Sequence, residues 1–351
     1  MTMPAESQVS WFRDVGLADR PHVGGKGGSL GELHRAGIPV PPGFVVRTRA
    51  FERFLELLER ESPVRASVEA LDAENLDAIT ACSKDIRRRV ENAALPQDVI
   101  EQITSAYTEL CNEDDLAVAV RSSATTEDAD DASFAGLQDT YLWIISAERM
   151  VDRVRSCWAS LYSVESISYR RRRGFPEQSV AMAVVVQKMV NARTSGVMFT
   201  RSPITGDRSV IAIEAAWGLG SAVVGGEVTP DRWIVNKITG EITTRDISDK
   251  CVQHLPAAAG GIDVLPVPAE LRRTACLDDD ELQSLRTIAR QVERHYGRAQ
   301  DVEWAIDRHT GQLLLLQSRA ETVWAAKDPE PAARPEANPH AHVLTIFGGR
   351  R

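Results

Sequence analysis

Four stretches far apart in the sequence could together build a complete ATP site. They are Gly24-Gly25-Lys26-Gly27-Gly28, Ala119-Val120-Arg121-Ser122-Ser123-Ala124, Ser133-Phe134-Ala135-Gly136, and Asp301-Val302-Glu303-Trp304 taken with Gln317-Ser318-Arg319. Between them they supply glycine loops, cations and paired carboxylates. A triphosphate needs backbone N–H donors that approach closely and cations that neutralise its charge. A glycine loop that feeds a helix start and contains a lysine offers both. The loop is neither a Walker A sequence nor the dinucleotide fingerprint, so by itself it does not identify a nucleotide site.

Arg121 follows an apolar strand and precedes small hydroxyl residues, a place from which a guanidinium can grip phosphate oxygens in fork geometry. Pairing with Glu127 or Asp128 is the structural alternative. Gly136, with Ser133, Phe134 and Ala135 before it and Thr140 just beyond, suits a flap over phosphates, and a plain hairpin turn would use the same residues. Asp301 and Glu303 are two apart on an expected strand and so share a face, where Gln317 and Arg319 of the returning strand could meet them. Carboxylate and amide oxygens suit Mg²⁺, a hard cation that usually shares its ligands with nucleotide phosphates. A cross-strand salt bridge is the alternative here.

With 351 residues and 43% hydrophobic content, the chain can bury a sizeable core and divide into two or three subdomains. A formal net charge of −9 opposes a nucleic-acid or anionic-membrane partner unless a local basic patch exists. The best such patch, residues 170–173, reads as a solvated helix end whose arginines complement the helix dipole. The five cysteines are scattered and form no Cys-x-x-Cys pair, so they read as reduced core thiols and suggest neither a disulfide framework nor a zinc site. No stretch approaches the roughly 20 apolar residues needed to span a bilayer. A cytoplasmic enzyme without membrane or nucleic-acid partners is the expectation.

Periodicity predicts a helix over 26–36 that opens on the glycines, a short strand at 43–46, mostly amphipathic helix from 49 to 110, and strands at 117–120 and 140–144. A single helix is expected over 147–173. Further strands are expected at 181–190, 196–200 and 209–215. A hairpin should join 232–236 to 242–245, and after a helix over 281–296 a final hairpin should join 301–306 to 312–317. Beyond 322, Asp328-Pro329-Glu330-Pro331 begins linker chemistry, and an apolar hexamer at 342–347 follows.

These segments, in this order, resemble the nucleotide-binding domain of the pyruvate phosphate dikinase and phosphoenolpyruvate synthase family. The resemblance covers about residues 9–324 and is carried by Gly24 to Leu30, Val120 to Ala124, Ala132 to Gly136, Ser195-Gly196-Val197-Met198-Phe199-Thr200 and Leu316 to Arg319. It implies an α+β, ATP-grasp-like fold of two or three subdomains with ATP in the cleft between them. Residues 1–115 would be a lid or scaffold part, 116–326 the sheet-rich part, and 327–351 a proline-rich linker and tail.

The resemblance also implies roles. Lys26 and Arg121 would touch phosphates, Gly136 and Thr140 would lie in the flap, and Glu303 and Gln317 would hold Mg²⁺ with Asp301 as a further ligand. Arg319 would sit near the transferred group, Gln187 and Met189 at the adenine, and Glu214 along the cleft. Family members pass phosphate to a histidine, typically in a Ser-His context, on a swivelling domain. None of the seven histidines here follows a serine.

The chain is therefore expected to be an ATP-binding subunit that phosphorylates a histidine on a partner subunit. The partner would hold a small hydroxylated acceptor, a phenol or cresol if the chain resembles the split aryl phosphate synthases, and ATP would yield AMP and phosphate. The ATP module of a rifamycin-type antibiotic phosphotransferase or of a phosphoenolpyruvate synthase is one alternative, and a nucleotide-sensing regulatory subunit is another.

Overall fold

The computed structural model describes residues 7–112, 116–125, 128–129, 132–133, 139–322 and 324. In chain order β1 (Val9–Trp11) leads to α1 (Arg20–Arg35), β2 (Gly43–Val46), α2 (Thr48–Glu59), α3 (Arg65–Glu69), α4 (Leu76–Asn92) and α5 (Gln97–Cys111). Next come β3 (Val118–Ala124), the two-residue strands β4 (Asp128–Ala129) and β5 (Ala132–Ser133), β6 (Thr140–Ile144), α6 (Ala147–Ser160) and α7 (Val164–Arg173). Then follow β7 (Met182–Lys188), β8 (Ala192–Phe199), β9 (Val210–Trp217), α8 (Ser221–Val224), β10 (Asp231–Asn236) and β11 (Ile242–Asp246). The hairpin β12 (Val252–Pro256) and β13 (Ile262–Pro266), helix α9 (Asp279–Tyr296) and the hairpin β14 (Gln300–Asp307) and β15 (Leu313–Ala320) complete the fold.

Two antiparallel sheets organise these elements, giving the mixed α+β architecture expected. The first has the order β1-β2-β7-β3-β6 and draws strands from both sides of residue 115, the expected boundary between the first two parts. Its central strand β7 is an apolar run because both of its faces are covered. Val184 and Val186 pack with Phe44, Val120, Phe54 and Trp158 on the side of the helices. On the other side Ala183 and Val185 meet Val23 and Leu30 of α1. The second sheet has the order β11-β10-β9-β8-β14-β15. One face carries Ile213, Trp233, Trp304 and Leu315, which pack on Leu285 and Val292 of α9. The opposite face of β14 and β15 carries polar side chains that look back toward the first sheet.

Helix α1 joins the two sheets. Leu30 enters the core of the first and Leu33 that of the second, both fully buried and each contributing about 1.5–3 kcal/mol of hydrophobic stabilisation. Ser29 Oγ donates to Ser318 O on β15 at 2.6 Å. Gly24, at φ 70, breaks the helix geometry and lets the chain lie on β3, since a Cβ there would stand 2.1 Å from Ser123 O. The helix that carries Lys26, Leu30 and Leu33 therefore opens on the glycines as expected, after a separate turn that begins at Arg20.

Three expectations are corrected. The helix over 147–173 is two helices, because Ser163 caps a new start by accepting from Ser166 N at 3.1 Å. Arg170 is not a solvated helix end: it is fully buried and forked onto Glu177, with Nε to Oε1 at 3.0 Å and Nη2 to Oε2 at 3.2 Å. Of the cysteines, Cys251 is exposed and Cys82 half-buried, while Cys111, Cys157 and Cys276 are core thiols. Among the described residues no helix is long and apolar enough to cross a membrane. Gly196 in β8 has no room for a side chain, as a Cβ would lie 1.9 Å from Glu214 O. Gly196→Ala is expected to push β9 away and cost roughly 3 kcal/mol, at the upper end for overpacking, read as a lower urea midpoint.

Candidate nucleotide site

Arg121 sits in the middle of β3, since the strand runs on to Ala124 and does not stop at Val120. Its guanidinium leaves the first sheet and reaches the second. Nη1 donates to Leu316 O at 3.0 Å, and Nη2 donates to Glu303 Oε2 at 2.9 Å and to Gln317 Oε1 at 2.6 Å. Among the described side chains the ion-pair partner is Glu303, across the cleft; Glu127 and the side chain of Asp128 lie outside them. Arg121 Nε is buried and has no partner among the described residues. Thr140 of β6 stands opposite Arg121 in register, and its side chain is exposed.

The carboxylate hairpin brings together the residues expected to share a face: Asp301 faces Arg319 and Glu303 faces Gln317. Beyond Glu303 the pairing shifts so that Trp304 faces Leu315, which leaves Leu316 as an extra residue in β15. The carbonyl of that residue is the one Arg121 holds. Asp301 Oδ2 accepts from Arg319 Nε at 3.2 Å, and Oδ1 is buried with no partner among the described residues. Burial pushes the Asp301 carboxyl above its usual range, and the neighbouring Arg319 works against that shift. Glu214 of β9 faces Val197, which faces Glu303, so Glu214 lies on this same face about 10 Å from Glu303.

Lys26 is half-buried on the first turn of α1 after Gly24. That turn is clamped to β3, because Ser123 Oγ accepts from Gly27 N at 3.2 Å and donates to Val23 O at 3.0 Å. Arg121 and Ser123 are two apart on β3 and so share the face beneath α1. Sequence reasoning noted the hydroxyl run after Arg121 but not this clamp, which needs the pairing of residues about 100 apart. Gly136 and its neighbours Phe134 and Ala135 lie outside the described residues, as does the tail beyond Trp324.

At the other end of the first sheet Gln187 of β7 faces Ala119 and Gly43. Only 2% of it is exposed, and its Nε2 has no partner among the described residues. Met189, half-buried, donates its backbone N–H to Ala117 O at 2.9 Å. A cavity of about 310 Å³, lined by Ala117, Trp143, Lys188, Met189 and Asn191 among others, opens here. The cleft thus has a charged end, where Arg121, Arg319, Asp301 and Glu303 meet, and a more apolar end at Met189. Among the described residues no cluster of three or more His, Cys, Asp or Glu is placed to hold a metal ion.

Comparison with known proteins follows the same lines. Residues 20–339 match the family described as pyruvate phosphate dikinase, AMP/ATP-binding domain. A probable phosphoenolpyruvate synthase of Methanocaldococcus jannaschii is 43% identical over 331 residues, covering 93% of this chain and 28% of the relative. The phosphoenolpyruvate synthases of Pyrococcus furiosus and Aeropyrum pernix are 36% and 38% identical; each match covers 96% of this chain, and 46% and 45% of those proteins. The chain spans less than half the length of these relatives. Among solved structures, D-alanyl-alanine synthetase A of Vibrio cholerae overlaps 69% of this chain and 54% of that one, at 11% identity and a TM-score of 0.25. That overlap is too loose to bear on the fold. The family match, which covers most of the sequence, and relatives with more than a third of their aligned residues identical lead to one conclusion: the chain belongs to the pyruvate phosphate dikinase AMP/ATP-binding domain family.

Proposed function

We propose that this chain is an ATP-binding module of phosphoenolpyruvate synthase or dikinase type, which uses ATP to phosphorylate a histidine on another domain or a partner subunit. The observation that carries this reading is the reach of Arg121 across the cleft to Glu303 and Gln317. That contact puts a phosphate-gripping cation beside a pair of oxygen ligands, with Asp301 and Arg319 two residues further along each strand. Glu303 and Gln317, helped by the unpartnered Oδ1 of Asp301, have the donor chemistry Mg²⁺ prefers. When bound, that ion would neutralise phosphate charge during in-line transfer.

Arg121, Lys26 and Arg319 would bind and orient the phosphate chain from three sides. Because Arg121 already occupies the oxygens of Glu303 and Gln317, loading the site requires its guanidinium to turn toward phosphate and release them. Gln187 Nε2, a buried donor without a partner among the described residues, and the apolar surface of Met189 suit the base, with Thr140 and Glu214 along the cleft between. The ATP-grasp-like placement of nucleotide between two α+β layers belongs to the same reading. The relatives bear the name phosphoenolpyruvate synthase and lend nothing to a phenolic acceptor, so a phenol or cresol rests on resemblance to split aryl phosphate synthases alone.

Incubation with ATP labelled at the β or γ phosphate, with and without a protein bearing the acceptor histidine, tests the reading. Label on the histidine with AMP formed is the expected result. Tight ATP binding without transfer would point to a regulatory module. Arg319 is half-exposed, but its partner Asp301 is mostly buried, so Arg319→Ala, which strips that carboxylate of its counter-charge, is expected to lower the melting temperature by a few degrees while the chain still folds. Histidine phosphorylation should fall about a hundredfold or more, the scale of losing one charge-stabilising donor. Near-normal transfer by this variant would remove Arg319 from the mechanism.

The raised carboxyl of Asp301 gives a pH test. A folded-state value above the ordinary 3.8 means that protonation favours the native state. The stability so gained is whole below the unfolded value and is lost as pH rises through the folded one. Near pH 7 the ionised carboxylate opposes folding. Asp301→Asn is therefore expected to raise the melting temperature of the ligand-free chain by roughly 1–3 °C at about pH 7, with the gain vanishing toward about pH 3. The same variant should lose part of the stabilisation given by Mg²⁺ and ATP. A melting-temperature difference that does not vary with pH would contradict the burial argument.

A further inference from the structure

Strand β6 is irregular where it passes β3. Ile144 faces Val118 and Tyr141 faces Val120, so Leu142 and Trp143 together stand opposite Ala119 and one residue of β6 is extra. Trp143 takes up this bulge at φ 56, a left-handed conformation that bulky side chains rarely adopt. Bulges of this kind re-aim a side chain and gather beside functional sites. Here the indole lies against the cluster of Val190, Leu219 and Ala305, together with Met189 and Leu316, and forms part of the wall of the cavity of about 310 Å³.

Something must hold Trp143 in that conformation, and the β12–β13 hairpin does so. Gly261 N, at the hairpin tip, donates to Trp143 O at 2.9 Å, and Arg149 Nη1 secures the same tip through Ala259 O at 2.7 Å. The stem is tied beside the second sheet, where Leu219 N donates to His254 O at 2.9 Å and His254 Nδ1 lies 2.7 Å from Ser221 Oγ. The hairpin thus spans from the end of β6 to the end of β9, crossing between the two layers beside the apolar end of the cleft.

We propose that Trp143 is the stacking wall for the purine base of the bound nucleotide, and that the β12–β13 hairpin locks it in place; this rests on the nucleotide reading above. The cavity is of the size and apolar character of small-molecule sites. It lies at the same end of the first sheet as Gln187 and Met189, away from Arg121 and the phosphates. An aromatic face stacks on any base, so Trp143 contributes affinity for the base as a class. Discrimination between bases falls to polar groups such as the Gln187 amide.

Calorimetric titration with Mg-ATP and with magnesium tripolyphosphate, which has the phosphates without the base, tests the proposal on the whole chain. Trp143→Ala is expected to bind ATP roughly tenfold to a hundredfold more weakly, the scale of base–aromatic stacking, with tripolyphosphate binding unchanged. Trp143→Phe should retain ATP binding within several-fold and lose the tryptophan emission change that ATP causes in the wild type. Arg149→Ala, which frees the hairpin tip but keeps the indole, should weaken ATP a few-fold and leave tripolyphosphate alone. If Trp143→Ala fails to fold, the Phe and Arg149 variants carry the test. Unchanged ATP affinity in Trp143→Ala, or in Arg149→Ala where that variant carries the test, or an equal loss for ATP and tripolyphosphate, overturns the stacking wall. A wild-type chain that binds neither ligand overturns the nucleotide reading itself, and the wall with it.

Discussion

One guanidinium links the two sheets at the place where the chemistry is expected. Arg121 is rooted in a central strand of the first sheet, and its polar atoms end on Glu303, Gln317 and the carbonyl of Leu316 in the second. Taking an arginine out of water is costly unless charge and hydrogen bonds compensate, and here a carboxylate and two neutral acceptors do so. The pair therefore sets how the two layers approach at the charged end of the cleft. It also keeps the carboxylate row ordered through a contact that phosphate can replace, since phosphate oxygens suit the same fork.

Helix α1 makes that reach possible. Its glycine turn lies on β3 beside Ser123, and its later residues Ser29 and Leu33 fasten to β15 and to the core of the second sheet. The two layers are thus held at fixed distance on one side, while the polar face of β14 and β15 stays open toward the cleft. Alternation along β14 achieves the separation: Val302, Trp304 and Ile306 fill the core under α9, and Asp301 and Glu303 face the other way.

The hairpin β12–β13 serves the apolar end of the cleft as Arg121 serves the charged end. It contributes no element to either large sheet, yet its tip fixes the backbone of Trp143 and its stem packs against the loop after β9. A surface hairpin with exposed Val264 and Leu265 gains its place in the fold from these polar anchors more than from core packing.

Local pattern made much of this protein legible. The period of two placed Asp301 and Glu303 on one face of their strand, and Gln317 and Arg319 on one face of theirs, but the pairs stand opposite each other only because of the bulge at Leu316, which the short turn does not dictate. The glycine cluster announced a close backbone approach, and the apolar run of β7 announced a strand. What the sequence could not reveal depends on partners distant in the chain. Nothing near Arg121 marks Glu303 as its ion-pair partner, nothing near Arg170 distinguishes a buried fork on Glu177 from a solvated helix end, and nothing around Trp143 foretells a left-handed bulge held by Gly261. Those outcomes are decided when strands of high sequence separation pair and bring charges and backbone groups out of water together, where a group must find a partner or carry the full cost of desolvation.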